Sequence, residues 1–348
     1  MIRVTTAGES HGPCLTVIVE GLPAGLALSA DLVRADLARR QIALGAGGRM
    51  AIETDRAEIT AGVMAGVTTG APVAMTIANA NHEAWKGKSV AAYTAPRPGH
   101  ADFAAVVKYG YDDIRPALER ASARETASRV AAGACCRALL REFGVEVAGE
   151  VETIGQFLKG GTPEAEMYIE QARKAGDTLG GVIAVTAKGV PVGLGSHVSA
   201  DRRLDARLAA AVMSIPAIKG VEIGGGFKLD RDAGGVTGGI SNGETVTMRA
   251  AMKPIPTTLR PQATVDLATG APCETTYERS DVCPVPRAVV VVEAAVCTVL
   301  ADALMEKLGG DSLDEMKPRF AALPKTRRLP GNPTVFWPAH SVDTLSTA

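Results

Sequence analysis

The sequence predicts an α/β (α+β) protein in which helices pack between or against sheets, with that arrangement built twice. Three observations carry this. Strand-like β-branched runs alternate with long helical stretches rich in Ala, Val and Leu. A turn recurs in the two halves: Glu20-Gly21-Leu22-Pro23-Ala24-Gly25-Leu26 resembles Lys188-Gly189-Val190-Pro191-Val192-Gly193-Leu194, and each follows a strand-like run. Ser29-Ala30-Asp31 and Ser199-Ala200-Asp201 then each precede a helix, so the spacing suggests duplication of about half the 348-residue chain. Finally, 38 glycines with only 4% aromatics predict many tight turns around a core of small aliphatic side chains.

Residues 15–19 are β-branched and read as a strand that ends in the first glycine turn. Ser29 caps the next helix, which carries Asp31 in its first turn and Arg39 and Arg40 at its end. Strands are predicted over 57–63 and 71–77. Residues 117–143 read as one long helix stopped by Gly144. Further strands are expected near 145–151, 181–187, 220–223 and 245–252, and a last long helix over 285–308 before Gly309-Gly310. That apolar run is interrupted by Glu293 and Asp302, so it reads as a buried helix and not a membrane span. Residues 1–316 are expected to form a single domain, with 317–348 as a loosely packed tail where Pro and Arg become frequent.

Composition removes several function classes. With 46% apolar and 22% charged residues, wholesale disorder is excluded. Lys plus Arg is 37 against 38 for Asp plus Glu, so no global field favours nucleic acid or an anionic membrane. Six cysteines without a CxxC pair read as free thiols of a reducing compartment, and the first residues run into a strand without a signal peptide, so the expected location is the cytoplasm. No His/Cys spacing predicts a metal. No GxGxxG follows the first strand, and neither a Walker A loop nor a GxSxG elbow is present.

Six clusters carry the chemistry. Gly8-Glu9-Ser10-His11-Gly12 places a histidine among small residues, either as a turn residue or as a proton donor. Arg39-Arg40-Gln41 with Gly45-Ala46-Gly47-Gly48-Arg49 either serves a helix dipole or grips a phosphate or carboxylate. Pro96-Arg97-Pro98-Gly99-His100-Ala101-Asp102 is stiffened by two prolines around Arg97 and His100. Arg120 and Arg124 share a face of the predicted helix and need an anion, or Glu125, between them. Lys253-Pro254-Ile255-Pro256-Thr257-Thr258 joins a cation to two hydroxyls, and Arg279-Ser280-Asp281 precedes the last helix. Dispersed arginines and two glycine-flanked histidines suggest a small polyanionic substrate. Such cations, gathered without a ligand, should repel one another and leave the site poorly ordered or holding buffer anions.

In this order the clusters resemble the chorismate synthase family, from about Arg3 to Leu308. The resemblance implies a β-α-β sandwich with a helical core between antiparallel sheets and an internal pseudo-twofold repeat, assembled as a homotetramer. It implies a lyase of aromatic amino acid biosynthesis, at the last common step of the shikimate pathway. The reaction is the anti 1,4-elimination of phosphate from 5-enolpyruvylshikimate 3-phosphate to give chorismate, with reduced FMN required but not consumed and NADPH as a candidate flavin reductant. The alternative is a relative that binds a phosphorylated acid or a partner without turnover. By resemblance, His11 protonates the departing phosphate, His100 tunes the flavin and Asp281 helps the flavin act as base. Ser10, Arg40, Arg49, Arg97 and Arg124 match substrate ligands. Arg120, Ala121, Ser122, Gly238, Lys253, Pro254, Ile255, Pro256, Thr257 and Arg279 match FMN contacts. The chain departs from the pattern at Ile42-Ala43-Leu44-Gly45-Ala46, where relatives usually carry Gly-Gly-Tyr-Gly-Arg, and after Gly224-Gly225-Gly226-Phe227, where relatives have some twenty more residues.

Overall fold

In a computed structural model, which describes residues 1–41, 55–155, 158–228, 230–276 and 281–331, period-two alternation builds two antiparallel sheets. The first contains β1 (Arg3–Ala7), β2 (Cys14–Glu20), β3 (Ala57–Ala61) and β4 (Val73–Ala78) in the order β1-β2-β4-β3. Leu15, Val17 and Val19 point into the core opposite Val73, Met75 and Ile77, while the residues between them stay partly exposed. The second contains β5 (Glu146–Ile154), β6 (Leu158–Lys159), β7 (Gly181–Lys188), β8 (Ile218–Ile223) and β9 (Val246–Met252), in the order β8-β9-β7-β5-β6. Read from β5, the order β5-β7-β9-β8 repeats β1-β2-β4-β3.

The helices are α1 (Ala30–Gln41), α2 (Asp102–Tyr109), α3 (Arg115–Ala121), α4 (Thr126–Arg141), α5 (Pro163–Ala175), α6 (Leu204–Met213), α7 (Val285–Leu308) and α8 (Leu313–Ala321). α1 and α4 cover the first sheet, α6 and α7 cover the second, and α4 packs on α7 between them. The result is the sandwich that the sequence predicts, with one continuous core drawn from both halves. The two central helices meet at Gly133, where a Cβ would lie 2.3 Å from the Cβ of Ala294.

The duplication extends to single hydrogen bonds. Gly25 (φ 85°) donates its N–H to Thr68 O at 2.9 Å, and Gly193 (φ 100°) donates to Ser241 O at 2.9 Å. Thr68 Oγ1 accepts from Leu26 N and donates to Pro23 O (3.0 and 2.5 Å). Ser241 Oγ accepts from Leu194 N and donates to Pro191 O (2.8 and 2.6 Å). In each half a buried hydroxyl pins the turn, and the φ values explain why both turns keep glycine.

α7 is long and apolar enough to cross a membrane, but it is largely buried inside the protein. Glu293, 1% exposed, shows how a charge sits there. Its carboxylate accepts from Arg137 Nη2, from both Arg39 Nη atoms and from the Gly149 N–H, each at 2.7 Å. Arg137 Nε also donates to Asp36 at 2.8 Å. Buried charges survive when paired and fully hydrogen-bonded, and this set ties α1, α4, β5 and α7 together. All six cysteines are free. Burial pushes the thiols of Cys135 and Cys297 up to about 12 and that of Cys283 up to about 11.

Two expectations are corrected. The single helix over 117–143 is broken: α3 ends at Ala121, Ser122 is extended (φ −62°, ψ 140°), and α4 starts at Thr126 after a 3₁₀ turn. The Ser122 hydroxyl accepts from Arg124 N and caps that turn. At the other end, helix continues beyond residue 316 through α8, whose Phe320 ring lies 5.1 Å from that of Phe143.

Candidate active site

The link between β1 and β2 carries His11. Gly8 (φ 110°) brings the chain against Cys14, where a Cβ would come within 2.5 Å of the Cys14 carbonyl oxygen. His11 is then gripped by Glu119 at the end of α3. One carboxylate oxygen pairs with Nδ1 and the other accepts the His11 main-chain N–H, both at 2.6 Å. The Trp85 ring packs 4.7 Å from the imidazole, and His82 Nδ1 meets the His11 carbonyl at 3.0 Å. Ser10 Oγ donates to Ser122 Oγ at 3.0 Å.

The break at Ser122 separates two arginines that a continuous helix would have kept on one face. Arg120 turns outward and donates to Thr6 Oγ1 at 2.9 Å, with Glu125 3.9 Å away. Arg124 turns inward, donating to Asn79 Oδ1 at 2.7 Å and to Asp55. Arg40 meets the other oxygen of Asp55 at 3.0 Å and also donates to Thr126 Oγ1 and Ala123 O. The Arg40 guanidinium is pushed down to about 10, first by burial and then by Arg287 and Arg124 nearby. Asn79 closes the turn by donating to Glu9 O and Gly12 O. Asp55 therefore stands between Arg40 and Arg124 as a shared counter-charge, which offsets the repulsion expected between these two cations.

A second group forms on the proline loop. Asp102 at the start of α2 holds Arg97 through Nε (2.8 Å), Nη2 (3.0 Å) and the main-chain N–H (3.0 Å). His100 Nε2 meets Thr257 Oγ1 at 2.8 Å, and Lys253 Nζ donates to Gly99 O at 3.0 Å. Burial, with Arg97 and Lys253 adding their charge, pushes the His100 imidazole down to about 4, so it is neutral at neutral pH. A cavity of about 380 Å³ opens here, lined by Arg97, His100, Phe103 and Thr264 among others.

One path joins the two groups. Thr178 Oγ1 donates to Ile255 O in the Lys253–Thr257 segment, and Leu179 N donates to Val282 O beside Asp281. Asp281 pairs with Arg287, whose Nε donates to Arg40 O at 3.0 Å. The path therefore runs from His100 through Asp281, Arg40 and Arg124 to the His11 turn. Pro254 lies within the Lys253–Thr257 segment, Pro256 rests against Gly99, and Ala121 ends α3. Gly238 (φ 61°) sits at a hairpin tip between β8 and β9; among the described residues no hydrogen bond links that hairpin to either group. Arg49 and Arg279 lie outside the described residues, as does the departure at 42–46. No group of ligating side chains for a metal occurs among the described residues.

Sequence reasoning missed Glu119, Asp55, Asn79, His82 and Trp85. Glu119 had a signal, lying next to Arg120 and the predicted site. The other four are isolated polar or aromatic residues that gain their roles only in three dimensions.

The sequence model of chorismate synthase matches residues 2–232 and 228–305. The chain belongs to the chorismate synthase family. A chorismate synthase of Moorella thermoacetica is 49% identical over 375 residues, covering 92% of this chain and 98% of its own length. Those of Geobacter sulfurreducens and Caldanaerobacter subterraneus are 47% and 48% identical, each covering 92% of this chain and 98% and 97% of their own lengths. A crystal structure of a chorismate synthase superposes with a TM-score of 0.74 at 38% identity, covering 92% of this chain and 96% of that one. The 375-position alignment exceeds the 348-residue chain, so that relative carries residues this chain lacks. The activity is the chorismate synthase reaction: a carbon–oxygen lyase that expels phosphate from a small molecule, 5-enolpyruvylshikimate 3-phosphate.

Proposed function

We propose that this elimination runs between the two histidine groups, with FMN as the reduced flavin. The observation that supports this best is the path above, in which hydrogen bonds alternate with short stretches of main chain: His11, Arg40, Arg124, Asp281, His100 and Lys253 come from distant segments yet are tied into one set. The donors suit a flavin phosphate and ring. Lys253 supplies a cation, Thr257 and Thr258 supply hydroxyls, and Pro256 packs against Gly99. Arg120, Ala121, Ser122, Gly238 and Arg279 complete the proposed flavin contacts. When bound, a reduced flavin supplies transient electron density to the substrate and accepts the ring proton.

The chain's own residues do the rest. Arg40, Arg49, Arg97 and Arg124, with Ser10, bind the phosphate and carboxylates of the substrate. His11, tied at Nδ1, gives a proton from Nε2 to the departing phosphate and offsets its growing charge. Neutral His100 adds no further cation beside Arg97 and Lys253, and Asp281 is held in place by Arg287.

We propose a single domain, because one core spans both halves, and a cytoplasmic location, because all six thiols are free. A homotetramer fits the exposed Phe103, Val107 and Tyr109 of α2. NADPH is the proposed physiological source of flavin electrons. The deciding assay follows chorismate and phosphate release anaerobically with photoreduced FMN. Turnover is expected, and His11→Ala should lower kcat by roughly 10²–10⁴-fold, the size of a general-acid effect. FMN binding without turnover would leave a binding protein.

A further inference from the structure

We propose that Glu119 is the positioning residue for His11: its carboxylate takes the ring at Nδ1 and the main-chain N–H of the same residue, so that proton delivery falls to Nε2. What His11 delivers rests on the lyase reading above; the grip itself does not.

Both carboxylate oxygens of Glu119 meet His11, each at 2.6 Å, while its own carbonyl accepts from Ser10 N at 3.3 Å. Ring and main chain are thereby both held. The in-plane direction is set at Nδ1, one ring face is covered by Trp85 at 4.7 Å, and the main chain is held from both sides by Glu119 and His82. Glutamate is the residue type this requires. A carboxylate offers two acceptors, and when the imidazole carries both protons it is also the counter-charge. A glutamine of the same size offers one acceptor oxygen and turns an NH₂ toward either Nδ1 or the main-chain N–H. An aspartate keeps both acceptors but is one methylene short.

A tether that merely fastened the turn to α3 would leave the ring's protonation pattern indifferent to Glu119→Gln, and this separates the two roles. In ¹H–¹⁵N spectra of the whole protein carrying FMN, His11 should show its proton on Nδ1 whenever the ring is neutral, and Glu119→Gln should change that pattern. In steady-state assays with reduced FMN, Glu119→Gln should lower kcat at least about tenfold, a share of the 10²–10⁴ that a general acid supplies. KM should stay within about twofold, and Glu119→Asp should recover part of the loss. A wild-type ring protonated at Nε2 when neutral overturns the proposal without any variant. So does Glu119→Gln with an unchanged ring pattern, or with kcat within about twofold of wild type. If the wild type makes no chorismate, the lyase reading fails, while the ring spectra still decide whether Glu119 sets the tautomer.

Discussion

Asp55 is the carboxylate on which two buried cations depend. Its side chain is fully buried, and those of Arg40 and Arg124 are each 4% exposed. Among the described residues the other hydrogen-bond acceptors of each guanidinium, Thr126 and Ala123 for Arg40, Asn79 and Ala78 for Arg124, are neutral. Asp55→Asn therefore keeps the shape and removes the charge that both cations share. Removing one partner of a buried ion pair costs about 3–5 kcal/mol, because a charge is left without compensation. At about 2 °C per kcal/mol for a chain of this size, Tm should fall by roughly 6–10 °C. The same loss should expose the site's preference for anions. Phosphate added at about a hundredfold over its Kd should return about 2.7 kcal/mol to the variant, and less to the wild type, where Asp55 already fills the place. Thermal unfolding of both proteins with and without phosphate measures this. A loss below about 1 kcal/mol would show that neutral acceptors suffice for these guanidinium groups and refute the reasoning.

His100 predicts an acid-sensitive stability. Its imidazole is pushed from 6.5 to about 4 in the folded state, so the unfolded chain takes up the proton first. The stability at issue is fully present above about pH 6.5, falls as pH drops toward 4 and changes no further below that. The separation corresponds to about 3 kcal/mol at most, and nearer 1–2 after solvent screening of a half-buried ring. Urea unfolding between pH 4 and 7 should give a shallower slope for His100→Gln; equal slopes would contradict the assignment. At the helix crossing, Gly133→Ala should lose about 1–3 kcal/mol to overpacking despite alanine's better helix propensity. Its Cβ would sit 2.5 Å from the Cα of Ala294, which cannot move aside as a side-chain tip can. A stabilised Gly133→Ala would mean that the two central helices part freely.

Much of this was legible because local chemistry demanded it. The two glycine turns share a pattern since both need a positive φ over a buried hydroxyl, although the hydroxyls themselves, Thr68 and Ser241, differ in type and escape notice. β-branched runs revealed the strands, and α7 was readable to the residue because its apolar run is long and bounded by Pro284 and Gly309. The break at Ser122 was not readable. Residues on both sides are good helix formers, and the interruption makes sense only once Ser10 and His11 dock against the end of α3. The counter-charges of the arginines were hidden for the same reason: Asp55 and Asp102 are ordinary acids in sequence, and only the tertiary approach of Arg40, Arg124 and Arg97 sets them against these cations.

The packing of α4 against α7 also sets an order for synthesis. All four strands of the first sheet and its covering helices exist by Arg141, and even Ile2, whose N–H donates to Asp302 at 2.5 Å, waits for a residue near the far end of the chain. The ribosome must still deliver everything through Leu308 before the inner face of α4 is covered, which at roughly 5–20 residues per second takes on the order of ten seconds or more. For that interval the nascent chain displays the face of α4 around Gly133 and Arg137 without Ala294 and Glu293 of α7 against it, a surface that a holdase can bind and that a truncated message would leave open to proteolysis.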